Sequence, residues 1–256
     1  MFVVEGARAI RHLLDGGWAV ESLLLSTARA RARPDLVDDA SAAGATVYCA
    51  AQEVFDRITG FHAHRGALAL ARRPPARTVG EVTEGKRLAL VVEGVNDHEN
   101  LGALFRTAAA FGVGAVILDP LTADPLYRRS VRVSVGHVLR VPFARASSWP
   151  GDLEALRSAG WRVVALTPAG ERTLDELVAG GEAVAGASGG AGGEAAAGAS
   201  VRARWAVMVG AEDLGVSAPA LRASDVTVRI PMAPGVDSLN VATAAAVALS
   251  RLAPMV

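Results

Sequence analysis

The chain has 256 residues, 51% hydrophobic and 20% charged, with 26 Lys plus Arg against 26 Asp plus Glu. This composition excludes a disordered chain and suits one large or two modest domains of roughly 100 to 200 residues each. A formal charge of zero gives no bulk field for polyanions, so any nucleic-acid site must be local.

The start, MFVVEGARAIRHLLDGG, lacks the basic head and sustained apolar stretch of a secretory signal, so the cytoplasm is the expected location. From 1 to 73, apolar runs at 22 to 26, 46 to 50 and 66 to 71 alternate with helix-like segments at 6 to 14 and from Pro34 onward. This pattern predicts a small α/β domain. Cys49, the only cysteine, excludes an internal disulfide and reads as a buried small side chain rather than a nucleophile. The Pro- and Gly-bearing stretch 74 to 86 reads as a linker.

Beyond it, continuous Val/Leu runs at 88 to 94, 115 to 119, 162 to 167, 205 to 210 and 226 to 230 are mostly separated by helical intervals. They predict a parallel sheet covered on both faces in a second domain, 87 to 256. Ligands bind such sheets beyond the carboxyl ends of the strands, so the loops after Gly94, Thr167, Gly210 and Ile230 are the places to seek chemistry. Residues 179 to 200, nearly all Ala and Gly, read as an insertion that cannot build a packed face. The longest apolar run, 239 to 249, falls short of the roughly 20 residues that cross a bilayer.

Three segments of this domain bear polar groups at strand-to-helix loops. In the first, 95 to 119, Asn100 is expected to cap a helix whose stripe Leu101, Leu104, Phe105, Ala108 and Phe111 packs inward. Its other face shows Arg106 among Gly102, Ala103, Ala109 and Ala110, open to something bulky, although a plain surface arginine has the same appearance. The second, 208 to 217, imitates a P-loop in its Gly210 and Gly215. Val216 replaces the required Lys and Glu212 would repel phosphate, so a neutral or cationic ligand fits better. The third, 228 to 249, brings Ser238 and Asn240 to the start of a helix opened by Asp237 or Ser238, where backbone donors are free.

Between the first two lies a basic stretch in which Arg128 and Arg132, at i and i+4, share a face if helical and suit a phosphate backbone, or else form a solvated surface. The five histidines, 12, 62, 64, 98 and 137, show no metal-ligand spacing, and no metal is expected.

Together the motifs resemble those of the SpoU (TrmH-like) RNA 2'-O-ribose methyltransferases. The first stands as Asn100, Gly102, Arg106, Thr107, Ala108, Phe111 and Gly112. The second is Gly210, Glu212 and Gly215, and the third Ile230-Pro231-Met232 with Ser238-Leu239-Asn240-Val241. The N-terminal domain is similar to a ribosomal-protein-like substrate-binding domain, with Arg65 where the family often has Gln.

The resemblance implies an α/β domain with a doubly wound parallel sheet whose C-terminal segment is threaded into a trefoil knot, S-adenosyl-L-methionine as cofactor and a homodimer in which Arg106 of one subunit faces the cofactor of the other. It implies cofactor contacts at Thr167, Gly210, Ile230 and Leu239 and catalytic roles for Asn100, Arg106, Glu212, Ser238 and Asn240. Arg65, Arg128 and Arg132 are the expected RNA contacts, with ribosomal RNA favoured over transfer RNA. Family proposals make Arg106 a general base; positioning the 2'-oxygen and its phosphate is equally open, because neutral arginine is costly at pH 7. A non-catalytic RNA-binding protein retaining the fold is the alternative.

Overall fold

A computed structural model describes residues 1–59, 66–179 and 204–253; Arg65 and all but the first residue of the Ala/Gly-rich insertion lie outside them. The first elements are β1 (Phe2–Glu5), α1 (Ala7–Asp15), β2 (Val20–Ser26), α2 (Thr27–Ala32), α3 (Pro34–Ala42), β3 (Thr46–Ala50), α4 (Gln52–Thr59) and β4 (Ala67–Ala71). Then come α5 (Val79–Thr83), β5 (Leu88–Glu93), α6 (His98–Ala110), β6 (Ala115–Leu118), α7 (Arg128–Val133), a 3-10 turn at His137–Leu139, β7 (Phe143–Arg145) and α8 (Gly151–Ser158). The chain continues through β8 (Trp161–Leu166), β9 (Arg172–Thr173), α9 (Leu174–Ala179), β10 (Arg204–Gly210), α10 (Ala218–Arg222), β11 (Val226–Arg229) and α11 (Val241–Leu252). They form two compact units: Met1–Arg77 with Val95–Ala110 and Leu121–Pro142, and Thr78–Gly94 with Phe111–Pro120 and Phe143–Val256.

In the first unit a four-stranded sheet has the order β1-β4-β2-β3, antiparallel except for the β2/β3 pair. The three apolar runs anticipated here are the strands β2, β3 and β4, and the two helical segments are α1 and α3. The strand β1 escaped the reading because four residues carry little periodicity and its partner, β4, lies far along the chain. Ile10, Leu13, Leu23, Leu25, Leu36 and Phe55 are wholly buried in this unit. Cys49 is exposed, against expectation, because β3 is an edge strand that, among the described residues, pairs only with β2.

The helices α6 and α7 belong to the same unit. Leu101, Leu104, Phe105 and Ala108 are fully buried as the stripe requires, and Phe111, just beyond α6, is half-buried. The cap of α6 differs from the reading. Asp97 Oδ1 accepts from the backbone N–H of Glu99 at 2.5 Å and Asn100 at 3.3 Å, leaving Asn100 inside the first turn. The small-residue face is also partly filled, since a Cβ on Gly102 would lie 2.8 Å from Ser130 O and 2.8 Å from Val133 Cβ of α7. Replacing Gly102 by Val should therefore push α6 off α7 and cost about 1–3 kcal/mol, read as a lowered urea midpoint at unchanged m.

The second unit is a seven-stranded, wholly parallel sheet of order β7-β6-β5-β10-β8-β11-β9. Every residue of β5 is buried, as a central strand covered on both faces demands. On one face Val91, Ile117, Val163 and Met208 pack with Val79 and Val82 of α5, Leu153 and Leu156 of α8 and Ala220 of α10. The small residues Ala242, Ala245 and Ala248 of α11 are buried, and α11 packs on β10. The stretch read as linker is not all connection. Thr78 and Glu81 form a capping box that starts α5, the S/T-x-x-E signature of a helix start. The short β7 and β9 were also missed, having three and two residues. Among the described residues, no helix is long and apolar enough to cross a membrane.

Candidate functional site

The carboxyl ends of β10, β8 and β11, three consecutive strands of the second unit's sheet, open into a cavity of about 410 Å³. Its walls come from Leu166 to Pro168, Val209 to Val216, Ile230, Met232, Asp237 to Leu239, Val241 and Ala244. This is where an open parallel sheet offers free backbone groups to a ligand. Three of the four anticipated loops meet here.

The loop after β10 is set by two glycines. Gly215 has φ +64 and donates its N–H to Ala211 O at 2.7 Å, closing a turn in which a Cβ on Gly210 would collide with the backbone of Gly215 and Val216. The turn then feeds α10, at whose start Ser217 Oγ accepts from Ala220 N at 3.4 Å. Opposite it, Asn240 both caps α11 and reaches the loop. Its Oδ1 accepts from Ala242 N at 3.0 Å and Thr243 N at 3.3 Å, while its Nδ2 donates to Glu212 Oε1 at 2.9 Å. The helix thus opens at Asn240, not at Asp237 or Ser238, because its amide alone satisfies two orphan donors.

Thr167, Gly210, Ile230 and Leu239 all line this cavity, as do Glu212 and Ser238; Asn240 joins through Glu212. Asn100 and Arg106 stand on α6 of the first unit and are not among the lining residues. Arg106 is exposed. In that unit Arg128 and Arg132 do share α7, but their surroundings differ. Arg128 donates to the buried Glu5 carboxylate at 2.9 Å, whereas Arg132 is exposed. Among the described residues no Lys or Arg lines the cavity, while Glu212, Asp213 and Asp237 do. Apolar walls, a turn framed by two glycines and carboxylates suit a neutral or cationic ligand with an apolar ring, and disfavour phosphates. Among the described residues no cluster could hold a metal ion.

Sequence reasoning missed the group beneath this loop. Glu93, the last residue of β5 and 7% exposed, accepts from Trp149 Nε1 at 2.6 Å, Ser217 N at 2.8 Å and Ser217 Oγ at 2.6 Å. A carboxylate ending an otherwise apolar run was its only sequence signal. Removing it in Glu93→Ala strands three donors, so a loss of about 3 kcal/mol is expected in chemical denaturation, with weaker ligand binding at the loop above.

Residues 87–250 match the model of the SpoU rRNA methylase family, and residues 3–76 match that of the RNA 2'-O ribose methyltransferase substrate-binding domain. A protein of Mycobacterium bovis named uncharacterized tRNA/rRNA methyltransferase is 46% identical over 97% of this chain and 79% of its own length. The SpoU methyltransferase AviRb from Streptomyces viridochromogenes, solved in complex with the cofactor AdoMet, superposes with a TM-score of 0.79 at 23% identity, covering 99% of this chain and 89% of that one. A structure described as an RNA 2'-O ribose methyltransferase has a TM-score of 0.70 at 28% identity, covering 99% and 88%. Two matched models that together span nearly the whole sequence, and a relative close to half identical, agree with the strand-end cavity: the chain belongs to the SpoU rRNA methylase family.

Proposed function

We propose that the chain transfers a methyl group from S-adenosyl-L-methionine to a ribose 2'-hydroxyl of structured RNA, ribosomal RNA ahead of transfer RNA, as a cytoplasmic homodimer. The observation that carries this reading is the cavity itself, whose glycine turn, apolar walls and carboxylates suit an adenosine joined to a sulfonium and an ammonium. The AdoMet held by AviRb supports the cofactor. The match of residues 3–76 to a 2'-O ribose substrate-binding model supports the acceptor.

When bound, the cofactor supplies an electrophilic methyl carbon. Thr167, Gly210, Ile230 and Leu239 would hold it, chiefly through backbone groups and apolar contact. Glu212, oriented by Asn240, and Ser238 orient the ribose and catalytic groups. Asn100 and Arg106 act on the acceptor, Arg106 by fixing the 2'-oxygen and the adjacent phosphate through its planar donor fork. Alignment of the oxygen behind the methyl carbon needs no covalent intermediate, so positioning supplies much of the rate. Arg132 and Arg65 hold RNA phosphates, and Arg128 does so on the side that its pairing with Glu5 leaves open. In the homodimer Arg106 of one subunit serves the other's cofactor, and the C-terminal segment is threaded as a trefoil knot.

The test is incubation with tritiated S-adenosylmethionine and separately purified ribosomal and transfer RNA. Label is expected in ribosomal RNA as alkali-resistant dinucleotides, because a methylated 2'-oxygen cannot attack its phosphate. Label on bases would overturn the ribose assignment. Saturable cofactor binding with no transfer to either RNA would favour the non-catalytic alternative.

A further inference from the structure

We infer that Arg8, His12, His137 and Arg140 of the first unit form a binding site for a backbone phosphate of RNA, a site that rests on the reading of RNA as substrate. Gly136, at φ +81, brings the turn before His137 against α1, where a Cβ on Gly136 would lie 2.7 Å from Ala9 Cα. This close approach sets the two imidazoles side by side, with ring centroids 5.1 Å apart and planes tilted by 44°. Arg8 lies one helical turn before His12 on α1, and Arg140 follows the 3-10 turn that carries His137.

The charges acting on these rings are mostly positive, and Asp35 and Asp39 of α3, which packs on α1, are engaged by Arg11. Arg140 and Arg8 act on both, Arg106 of α6 acts on His137, and Asp15 of α1 is the single acid acting on His12. Asp15 is itself paired with Arg11 at 2.9 Å. On α7, which also packs against this turn, Arg128 and Arg129 are bound to Glu5 and Glu99, and Arg132 is exposed. Arg8, Arg106 and Arg140 are exposed and form no ion pair among the described residues. Burial first, and then these arginines or the neighbouring ring, push both histidines below the usual imidazole range.

Such a cluster is self-repelling until an anion enters. A phosphate would neutralise the arginines and favour protonated rings, each then a second donor. Phosphate binding therefore takes up protons and strengthens as pH falls. Without an anion the sign for stability is the reverse. Rings whose folded affinity for protons is depressed make the chain less stable as pH drops below the ordinary histidine value of about 6.5.

The test uses the full-length protein, its Arg8→Gln/Arg140→Gln variant and its His12→Asn/His137→Asn variant, with inorganic phosphate and bulk ribosomal RNA as probes. In the wild type, phosphate should shift the His12 and His137 ring resonances and raise Tm more at pH 6 than at pH 8. The arginine variant should lose both effects and bind RNA roughly ten-fold or more weakly, with a salt slope smaller by about one to two. The histidine variant should keep binding at pH 8 and lose the gain at pH 6. Wild-type rings unmoved by phosphate, or RNA affinity and salt slope unchanged in the arginine variant, would overturn the site. Phosphate shifts in a wild type that retains no RNA would instead keep an anion site and refute the RNA reading.

Discussion

Arg106→Ala is expected to abolish methyl transfer, lowering kcat/KM by about 10³-fold or more, with S-adenosylmethionine affinity unchanged. The two readouts separate because Arg106 lies on α6, outside the residues that line the β8, β10 and β11 cavity. The guanidinium is a planar fork suited to holding an oxygen and a phosphate together, and arginine keeps its proton in proteins. Arg106→Lys should accordingly restore a small part of the rate with a flat profile between pH 7 and 10. A restored rate that climbs with the ionisation of the lysine would instead make the residue at 106 the general base. In single-turnover kinetics with saturating cofactor, wild-type rate in Arg106→Ala would remove it from the mechanism.

Gly210→Ala is the second large effect, and it acts through backbone. The added Cβ would meet the main chain of Gly215 and Val216, which cannot swing aside as a side chain would. Gly215 is already in the left-handed region at φ +64 and tied to Ala211 by its N–H. The turn must open, at about 1–3 kcal/mol of stability. With it move Glu212 and the wall facing Asn240. Cofactor binding measured by calorimetry should weaken by about 100-fold or more, while the first unit's phosphate response stays intact. Normal affinity in a folded Gly210→Ala protein would contradict the role given to this loop.

Both effects turn on residues legible before any coordinates. Arg106 stood out among small side chains, and Gly210 and Gly215 framed a turn whose Val216 and Glu212 already argued against phosphate. Local patterning sufficed for such features, because strand and helix periods and the stereochemistry of glycine are properties of neighbours in sequence. The all-parallel sheet and the loops at its strand ends followed from the same runs. Glu93 did not, because a carboxylate at the end of an apolar strand has meaning only once Trp149 and Ser217 have been brought to it from far along the chain. Asn240 was selected as a polar group at a helix start, yet its double duty, capping α11 while holding Glu212, needed the packing of two distant segments. Arg128 and Arg132 looked alike in sequence and were separated only when β1 presented Glu5 to one of them. The exposure of Cys49 likewise depended on which strand closed the sheet. The amino-acid order by itself determined the longer strands and helices, the strand-end loops and the motif residues, since these need only near neighbours. Tertiary structure alone decided pairing, burial and the neighbours of each charge, because those are set by contacts across long stretches of chain that no local spacing encodes.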